Sequence, residues 1–173
     1  MRTAIGVAID IPEPWCGELT RHRAAAGDPA AGSIPAHLTL LGPTEVDVAD
    51  LPVIEHHLGR VAAAHPPFVL RLRGTGSFRP LTEVVYVAVA GGVDECAGLA
   101  TAVRELPLVD QAPRYPYHPH VTVAQDVPAE ALDMVLADLA GFAATFVVDR
   151  FTLFEHDGEI RWRPRTRFAL GAA

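Results

Sequence analysis

Short apolar segments rich in β-forming residues alternate along the chain with longer segments in which apolar residues recur at helical spacing. A short apolar or alternating run predicts a strand, whereas the longer periodic pattern predicts an amphipathic helix. Helices are predicted at residues 48–64, 93–106 and 128–140, with a shorter one ending near residue 26. The predicted strands cover residues 4–9, 34–41, 68–73, 84–90, 118–124, 146–154 and 160–170.

Glycine and proline residues set the expected limits of several strands. Gly42-Pro43 should end the second strand, and residues 74–76, a Gly-Thr-Gly sequence, should turn the chain after the third. Asp157-Gly158 is a hairpin signal between the last two strands.

The predicted elements form two similar sets, one around His37 and one around His120. With 173 residues, of which 50% are hydrophobic, the chain has ample apolar surface to bury. We therefore predict an α+β protein in which residues 1–173 form a single domain built from two similar lobes. The lobes should be related by a pseudo-twofold axis and contain two mainly antiparallel sheets, flanked by helices, with the site in the cleft between them.

Two copies of a His-x-Thr-x motif lie in predicted strands. From the histidine and threonine content, chance predicts only about 0.5 His-x-Thr triplets, before apolar residues are required at the other two positions. Because side chains alternate along a strand, histidine and threonine share one face while the apolar residues enter the core. The two motifs are His37-Leu38-Thr39-Leu40 and His120-Val121-Thr122-Val123.

Two imidazoles and two hydroxyl groups around one point would suit a phosphodiester. In-line displacement at phosphorus needs a base on the entering oxygen and an acid on the leaving oxygen, and histidine titrates close to neutral pH. The hydroxyls of Thr39 and Thr122 can donate hydrogen bonds to the non-bridging oxygens. This chemistry requires neither a metal nor a cofactor.

The charged residues exclude several other mechanisms. All 14 basic residues are arginines, so no lysine can form a Schiff base, bind a phosphate in a P-loop or accept an adenylate. A net charge of −7 argues against coating of long nucleic acids but leaves a small nucleotide or an RNA end as the partner. Cys16 and Cys96 are too few for a disulfide framework. We expect a cytoplasmic monomer that does not bind a membrane.

The chain resembles the 2H phosphoesterases, which include bacterial 2′-5′ RNA ligase-like proteins and RNA 2′,3′-cyclic phosphodiesterases. Besides the paired motifs, the resemblance rests on residues 68–78, a strand and glycine-rich turn ending in phenylalanine, on residues 84–89, and on the second motif's preceding residues 117–119. It implies a bilobal α+β fold and the hydrolysis, or reversible formation, of 2′,3′-cyclic or 2′-5′ phosphodiester bonds. It also implies that His37 is the general acid and His120 the general base. Without lysine, any joining would be the reverse of this chemistry and would not use ATP.

Further residues are candidates for substrate binding. Phe78, Tyr117 and Trp162 could stack on a base, although such aromatic residues often only pack. Arg71 and Arg73 either bind phosphate or form part of a solvated edge. Four alternate arginines near the end of the chain are either a solvated edge or a phosphate-binding rim, and Pro164 restricts their strand to an edge or interrupts it. They are Arg161, Arg163, Arg165 and Arg167.

The sequence is also compatible with two other functions. The protein could be an inactive nucleotide-binding module with the same two motifs. It could also be a metallohydrolase, although no familiar ligand spacing supports this interpretation. The ligands would then be His118, His120, Glu155, His156 and Asp157.

Overall fold

The computed structural model describes residues 1–106 and 115–171. None of the described helices is long and apolar enough to cross a membrane. The helices are α1 (Trp15–Ala25), α2 (Leu51–Ala64), α3 (Val93–Arg104) and α4 (Ala129–Asp138). The strands are β1 (Arg2–Asp10), β2 (His37–Asp47), β3 (Phe68–Ser77), β4 (Val84–Gly91), β5 (His120–Gln125), β6 (Ala143–Val148), β7 (Arg150–His156) and β8 (Trp162–Ala169).

The described strands form one eight-stranded sheet in the order β6-β3-β4-β5-β2-β1-β7-β8. All of their pairings are antiparallel, which confirms the predicted class. The prediction of two separate sheets is wrong, because the strands form two four-stranded halves of one sheet among the described residues. A single residue pair, Leu38 with Val121, joins the halves through β2 and β5.

Each half of the sheet collects elements from distant parts of the chain. The half that contains β2 also contains β1, β7 and β8, and helices α2 and α3 pack against it. The half that contains β5 also contains β3, β4 and β6, and helices α1 and α4 pack against it. The two sets of elements are therefore interleaved in sequence, although each set surrounds one histidine.

The alternation of side chains in the two motif strands follows the predicted pattern. Leu38, Leu40, Val121 and Val123 are fully buried and belong to one apolar cluster between the sheet and the helices. Burial of each such side chain contributes about 1.5–3 kcal/mol relative to exposure. The motif strands are thus fixed from the core side, and their histidines and threonines are on the other face.

The prediction that Gly42-Pro43 ends the second strand is wrong, because β2 continues to Asp47. The register against β1 shifts at these two residues, so that they lie in a bulge, where one strand has an extra residue. Proline lacks a backbone N–H, but a bulge leaves one residue without a ladder hydrogen bond. The Thr44 hydroxyl donates a 2.9 Å hydrogen bond to the Gly42 carbonyl within the same segment.

The predicted turn at residues 74–76 is also part of a strand, because β3 runs to Ser77. The register between β3 and β4 shifts at this point. Gly74 has a φ of +70°, which residues other than glycine rarely adopt, and its N–H donates to the Phe142 carbonyl. The glycines therefore bend the strand rather than end it.

The strand predicted at residues 146–154 is two strands, β6 and β7, which are separated at Asp149. β6 pairs with β3 in one half of the sheet, and β7 pairs with β1 in the other. Sequence alternation cannot detect this change of partner, because both strands have apolar residues facing the same core.

Candidate active site

The two motif histidines are the first residues of the two strands that meet at the centre of the sheet. His37 begins β2 and His120 begins β5. Each histidine immediately precedes a residue of the joining pair, Leu38 or Val121. Because that pair points into the core, both imidazoles project from the opposite face of the sheet.

The antiparallel register crosses the two motifs. On the two sides of the Leu38–Val121 pair, the antiparallel register places His37 across from Thr122 and Thr39 across from His120. Thr39 and His120 accordingly line the same cavity. The arrangement brings one imidazole and one hydroxyl from each motif to a common surface.

Both imidazoles are oriented by a backbone carbonyl two residues earlier. Nδ1 of His37 lies 2.9 Å from the Pro35 carbonyl oxygen, and Nδ1 of His120 lies 2.6 Å from the His118 carbonyl oxygen. Since a carbonyl can only accept, Nδ1 carries the proton in each ring. Nε2 is therefore the nitrogen that can exchange a proton in the cleft, in both motifs.

The pKa of each motif histidine is lowered from its ordinary value of 6.5. Burial is the main cause for His37, and the positive charges of Arg23 and His120 lower its pKa further. Burial is also the main cause for His120, and the charge of His118 acts in the same direction. The hydrogen bonds to the backbone carbonyls partly oppose these shifts. The site thus disfavours two protonated imidazoles and attracts an anion when one is protonated.

The hydroxyls of Thr39 and Thr122 make no hydrogen bond with another described residue. Both side chains are partly buried on the face that carries the histidines. They can therefore donate to a ligand oxygen without breaking a contact within the described protein.

Aromatic rings surround His120. The ring of Phe78 packs edge-on against His120 at 4.9 Å between centroids, and Tyr86 lies 5.5 Å from the same ring. His118 completes the group, with its ring 6.0 Å from that of His120. Gly76 makes room for this arrangement, because a Cβ atom there would lie 2.5 Å from the Tyr86 hydroxyl oxygen.

Tyr117 and Arg104 connect the second motif's surroundings to the first motif. The Tyr117 hydroxyl donates a 2.9 Å hydrogen bond to the Thr39 carbonyl, and Arg104 Nε donates a 3.0 Å bond to the Leu40 carbonyl. The Arg104 guanidinium carbon lies 5.1 Å from the centre of the Tyr117 ring, a cation–π contact. Burial raises the pKa of Tyr117, so its hydroxyl remains a donor at neutral pH.

Two cavities meet at Thr39. The larger, of about 480 Å³, extends from Thr39 and His120 past Phe78, Tyr117 and Arg104. A smaller cavity of about 80 Å³ lies beside His37, and Trp162 forms part of its wall. Of the aromatic residues predicted to bind substrate, Phe78 and Tyr117 are thus on the His120 side, and Trp162 is on the His37 side.

Arg71 and Arg73, also predicted to bind substrate, have exposed side chains on β3. They project from the face that carries the motif histidines, because Leu70 and Leu72 point into the core. Neither arginine is among the described residues that line the two cavities at Thr39. A substrate would have to extend along the sheet to reach them.

The four arginines of the possible phosphate-binding rim lie on or beside β8, an edge strand of the described sheet. Arg165 forms ion pairs with Glu55 at 2.9 Å and Glu155 at 3.1 Å, and Arg163 approaches Asp157 at 3.5 Å. These pairs occupy two of the guanidinium groups away from the cavities at Thr39. The arrangement favours the interpretation of a solvated, charged edge. The four are Arg161, Arg163, Arg165 and Arg167.

The five residues considered as metal ligands do not converge. His118 and His120 line the larger cavity, whereas Glu155, His156 and Asp157 line a separate groove beside the N-terminal residues. Asp157 accepts three backbone N–H groups of its own loop, which hold its pKa down at about 2. Within the described ranges, no group of three or more His, Cys, Asp or Glu side chains is placed to hold a metal ion.

Sequence reasoning missed Tyr86 and Arg104 and gave His118 only a metal-binding alternative. Tyr86 is opposite Thr122 in the sheet, a pairing that alternation in a single strand does not specify. Arg104 is the last residue of α3, where a basic residue is ordinary because it interacts favourably with the helix dipole. For His118, the sequence signal that could have indicated a role was its position two residues before His120.

The comparisons with known proteins agree on one family. The model of the 2′-5′ RNA ligase superfamily matches residues 11–160. A protein of Oceanobacillus iheyensis with the name "putative phosphoesterase" is 30% identical over 146 residues, covering 83% of this chain and 85% of its own. A protein of Bacillus licheniformis with the same kind of name is 33% identical over 147 residues, covering 84% and 86%.

Solved structures resemble the whole chain. The crystal structure of Escherichia coli LigT complexed with NADP⁺ has a TM-score of 0.71 and 25% identity, covering 99% of this chain and 100% of LigT. LigT complexed with ATP gives a TM-score of 0.70 and 27% identity over the same shares. A protein of Thermus thermophilus gives a TM-score of 0.67 and 26% identity, covering 99% of each chain.

Proposed function

The chain belongs to the 2′-5′ RNA ligase superfamily of 2H phosphoesterases, and we propose that it is a metal-independent phosphodiesterase. Its substrates are 2′,3′-cyclic phosphates or 2′-5′ phosphodiester bonds, at RNA ends or in small nucleotides. The observation that carries this proposal is the matched pair of imidazoles, each with Nδ1 bound to a carbonyl and Nε2 available to the cleft.

The proposed reaction divides acid and base roles between the motifs. His120 takes a proton from water as the water oxygen attacks phosphorus. The bond from phosphorus to the departing ribose oxygen breaks, and His37 donates its proton to that oxygen. The hydroxyls of Thr39 and Thr122 donate hydrogen bonds to the non-bridging oxygens as negative charge grows on them.

The electrostatics of the site are compatible with acid–base chemistry. The charge of His120 lowers the pKa of His37, so protonation of both imidazoles at once is disfavoured, and the proposed reaction needs only one protonated imidazole. An anionic phosphate between the rings would stabilise the protonated acid. Because each Nδ1 is already committed to a carbonyl, binding of the phosphate requires no change of tautomer.

The larger cavity supports the proposal of a nucleotide substrate. Its volume of about 480 Å³ is within the range of small-molecule sites, and its walls include aromatic rings on which a base can stack. LigT, of similar fold and 25–27% identity, was crystallised with NADP⁺ and with ATP. The net charge of −7 favours a small nucleotide or an RNA end over a long nucleic acid.

The test is turnover of nucleoside 2′,3′-cyclic phosphates and 2′-5′ dinucleotides, with and without EDTA, by the wild type and three variants. We expect activity that survives EDTA and falls by about 10²–10⁴-fold in His37→Asn and in His120→Asn. His56→Asn, an exposed change on α2, is the matched control and should retain full activity. Activity that EDTA abolishes and zinc restores would refute the metal-free mechanism, and nucleotide binding without turnover would favour an inactive binding module.

A further inference from the structure

Arg104 is a cationic residue in the wall of the larger cavity. Its Nε donates to the Leu40 carbonyl at 3.0 Å, and its guanidinium lies over the Tyr117 ring. The Tyr117 hydroxyl in turn donates to the carbonyl of Thr39. The guanidinium is therefore held in position beside the carbonyl of Leu40, the residue that follows the motif threonine Thr39 in β2.

A bulge in β2 explains why this carbonyl is available. Val7 and Ala8 of β1 pair with Leu41 and Thr39, so Leu40 is the extra residue between them. The extra residue of a bulge is left without its regular sheet partner. The arginine satisfies the freed carbonyl through Nε, which leaves its two terminal nitrogens for other partners.

The charge of Arg104 is not neutralised by the described residues. Its described contacts are a carbonyl oxygen and an aromatic ring. None of the described residues that line this cavity is acidic. A partly buried, oriented guanidinium without a carboxylate partner among them is a favourable site for a phosphate group, which accepts charge-assisted hydrogen bonds.

We propose that Arg104 binds a second phosphate group of the substrate, distinct from the phosphate that reacts between the two histidines. This inference rests on the proposed function, which places the reacting phosphate at the motif residues. The second phosphate is either the 5′-phosphate of a mononucleotide or the last internucleotide phosphate of an RNA end. Recognition of two phosphates makes Arg104 a specificity residue for nucleotides that carry both.

Binding of product-like ligands tests this proposal without requiring turnover. Calorimetry compares adenosine 2′-phosphate with adenosine 2′,5′-bisphosphate and with an adenylyl dinucleotide bearing a terminal 2′-phosphate. We expect the wild type to bind at least one of the two-phosphate ligands about tenfold more tightly than the monophosphate. A gain in affinity over the monophosphate that appears with the bisphosphate identifies the 5′-phosphate as the group bound. A gain in affinity with the dinucleotide alone identifies the internucleotide phosphate.

Three variants decide whether Arg104 causes the gain. Arg104→Gln should abolish this gain in affinity, because the second phosphate loses its partner. The Leu40 carbonyl loses its donor in the same variant, so the readout is the ratio of the two-phosphate affinity to the affinity for adenosine 2′-phosphate, which should fall to about one. Arg104→Lys should retain part of the gain, since the charge remains without the planar fork. Arg60→Gln, which removes an exposed positive charge on α2, should retain all of it. Circular dichroism melting confirms that each variant is folded.

A gain that persists in Arg104→Gln, or the absence of any gain in the wild type, would overturn the proposal. Equal weakening of all three ligands by Arg104→Gln would also overturn it, because the arginine would then contact the reacting phosphate or only support the fold. Failure to hydrolyse both the cyclic phosphates and the 2′-5′ dinucleotides would instead refute the proposed function and leave the binding comparison valid.

Discussion

The hydroxyl of Tyr117 donates a 2.9 Å hydrogen bond to the carbonyl oxygen of Thr39, across the line where the two halves of the sheet meet. Tyr117 lies three residues before His120, and Thr39 lies two residues after His37. Because β2 and β5 share only one ladder pair among the described residues, this bond is a second link between the motifs. It restrains the distance between the backbone segments that carry the two motifs.

Tyr117→Phe should therefore reduce both stability and activity while the fold is retained. Loss of the hydroxyl leaves the Thr39 carbonyl without this donor and should lower the free energy of unfolding by about 1–2 kcal/mol. We expect kcat/KM for a cyclic substrate to fall by about three- to tenfold, because small displacements of catalytic groups slow the reaction. Urea unfolding and steady-state kinetics measure the two effects. Unchanged kcat/KM would show that the link does not position the motifs.

The pH profile follows from the lowered pKa values of His37 and His120. The proposed reaction needs one neutral and one protonated imidazole, and burial lowers the pKa of both histidines from 6.5 in the free protein. We therefore expect a bell-shaped profile of kcat/KM with its maximum below pH 6.5, and above it a fall approaching about tenfold per pH unit as the acid loses its proton. A bound phosphate raises both pKa values, so the maximum of kcat should lie at higher pH. A kcat/KM that is constant from about pH 6 to about pH 8 would contradict this assignment.

His118→Asn should move the acidic side of that profile. The positive charge of His118 lowers the pKa of His120, so its removal should raise that pKa. In the proposed mechanism His120 must be neutral to act as the base, so the increase of kcat/KM with pH should then occur at higher pH. The readout is the midpoint of the acidic limb for the wild type and the variant. His56→Asn removes an exposed imidazole outside the cavity and should leave the midpoint unchanged.

Gly76→Ala should disturb the aromatic wall beside His120. The new Cβ atom would lie 2.5 Å from the hydroxyl oxygen and 2.6 Å from the attached ring carbon of Tyr86, so the ring has to move. We expect destabilisation of about 1–3 kcal/mol and a several-fold higher KM for a nucleotide substrate. The matched change Gly98→Ala in α3 meets no atom within 4 Å and should be stabilising by about 0.5–1 kcal/mol. Equal effects of the two substitutions would show that Tyr86 does not depend on the glycine.

The features of this protein that depend on local periodicity could be predicted from its sequence. Alternation in His37–Thr39 and His120–Thr122 predicted which side chains enter the core, because a strand directs successive residues to opposite faces. The same local signals predicted all four described helices, with limits within a few residues of those observed. The duplication of the motif identified the candidate catalytic residues and the family resemblance.

The neighbours of each strand and the surroundings of the motifs could not be predicted in this way. The separation of β6 from β7 and the single Leu38–Val121 pair depend on contacts between residues far apart in sequence. The same holds for Arg104, which reaches a carbonyl 64 positions away that a β-bulge has freed. A strand's pattern specifies which face it buries, but the choice of partner strand depends on the packing of the whole core, which no local pattern contains.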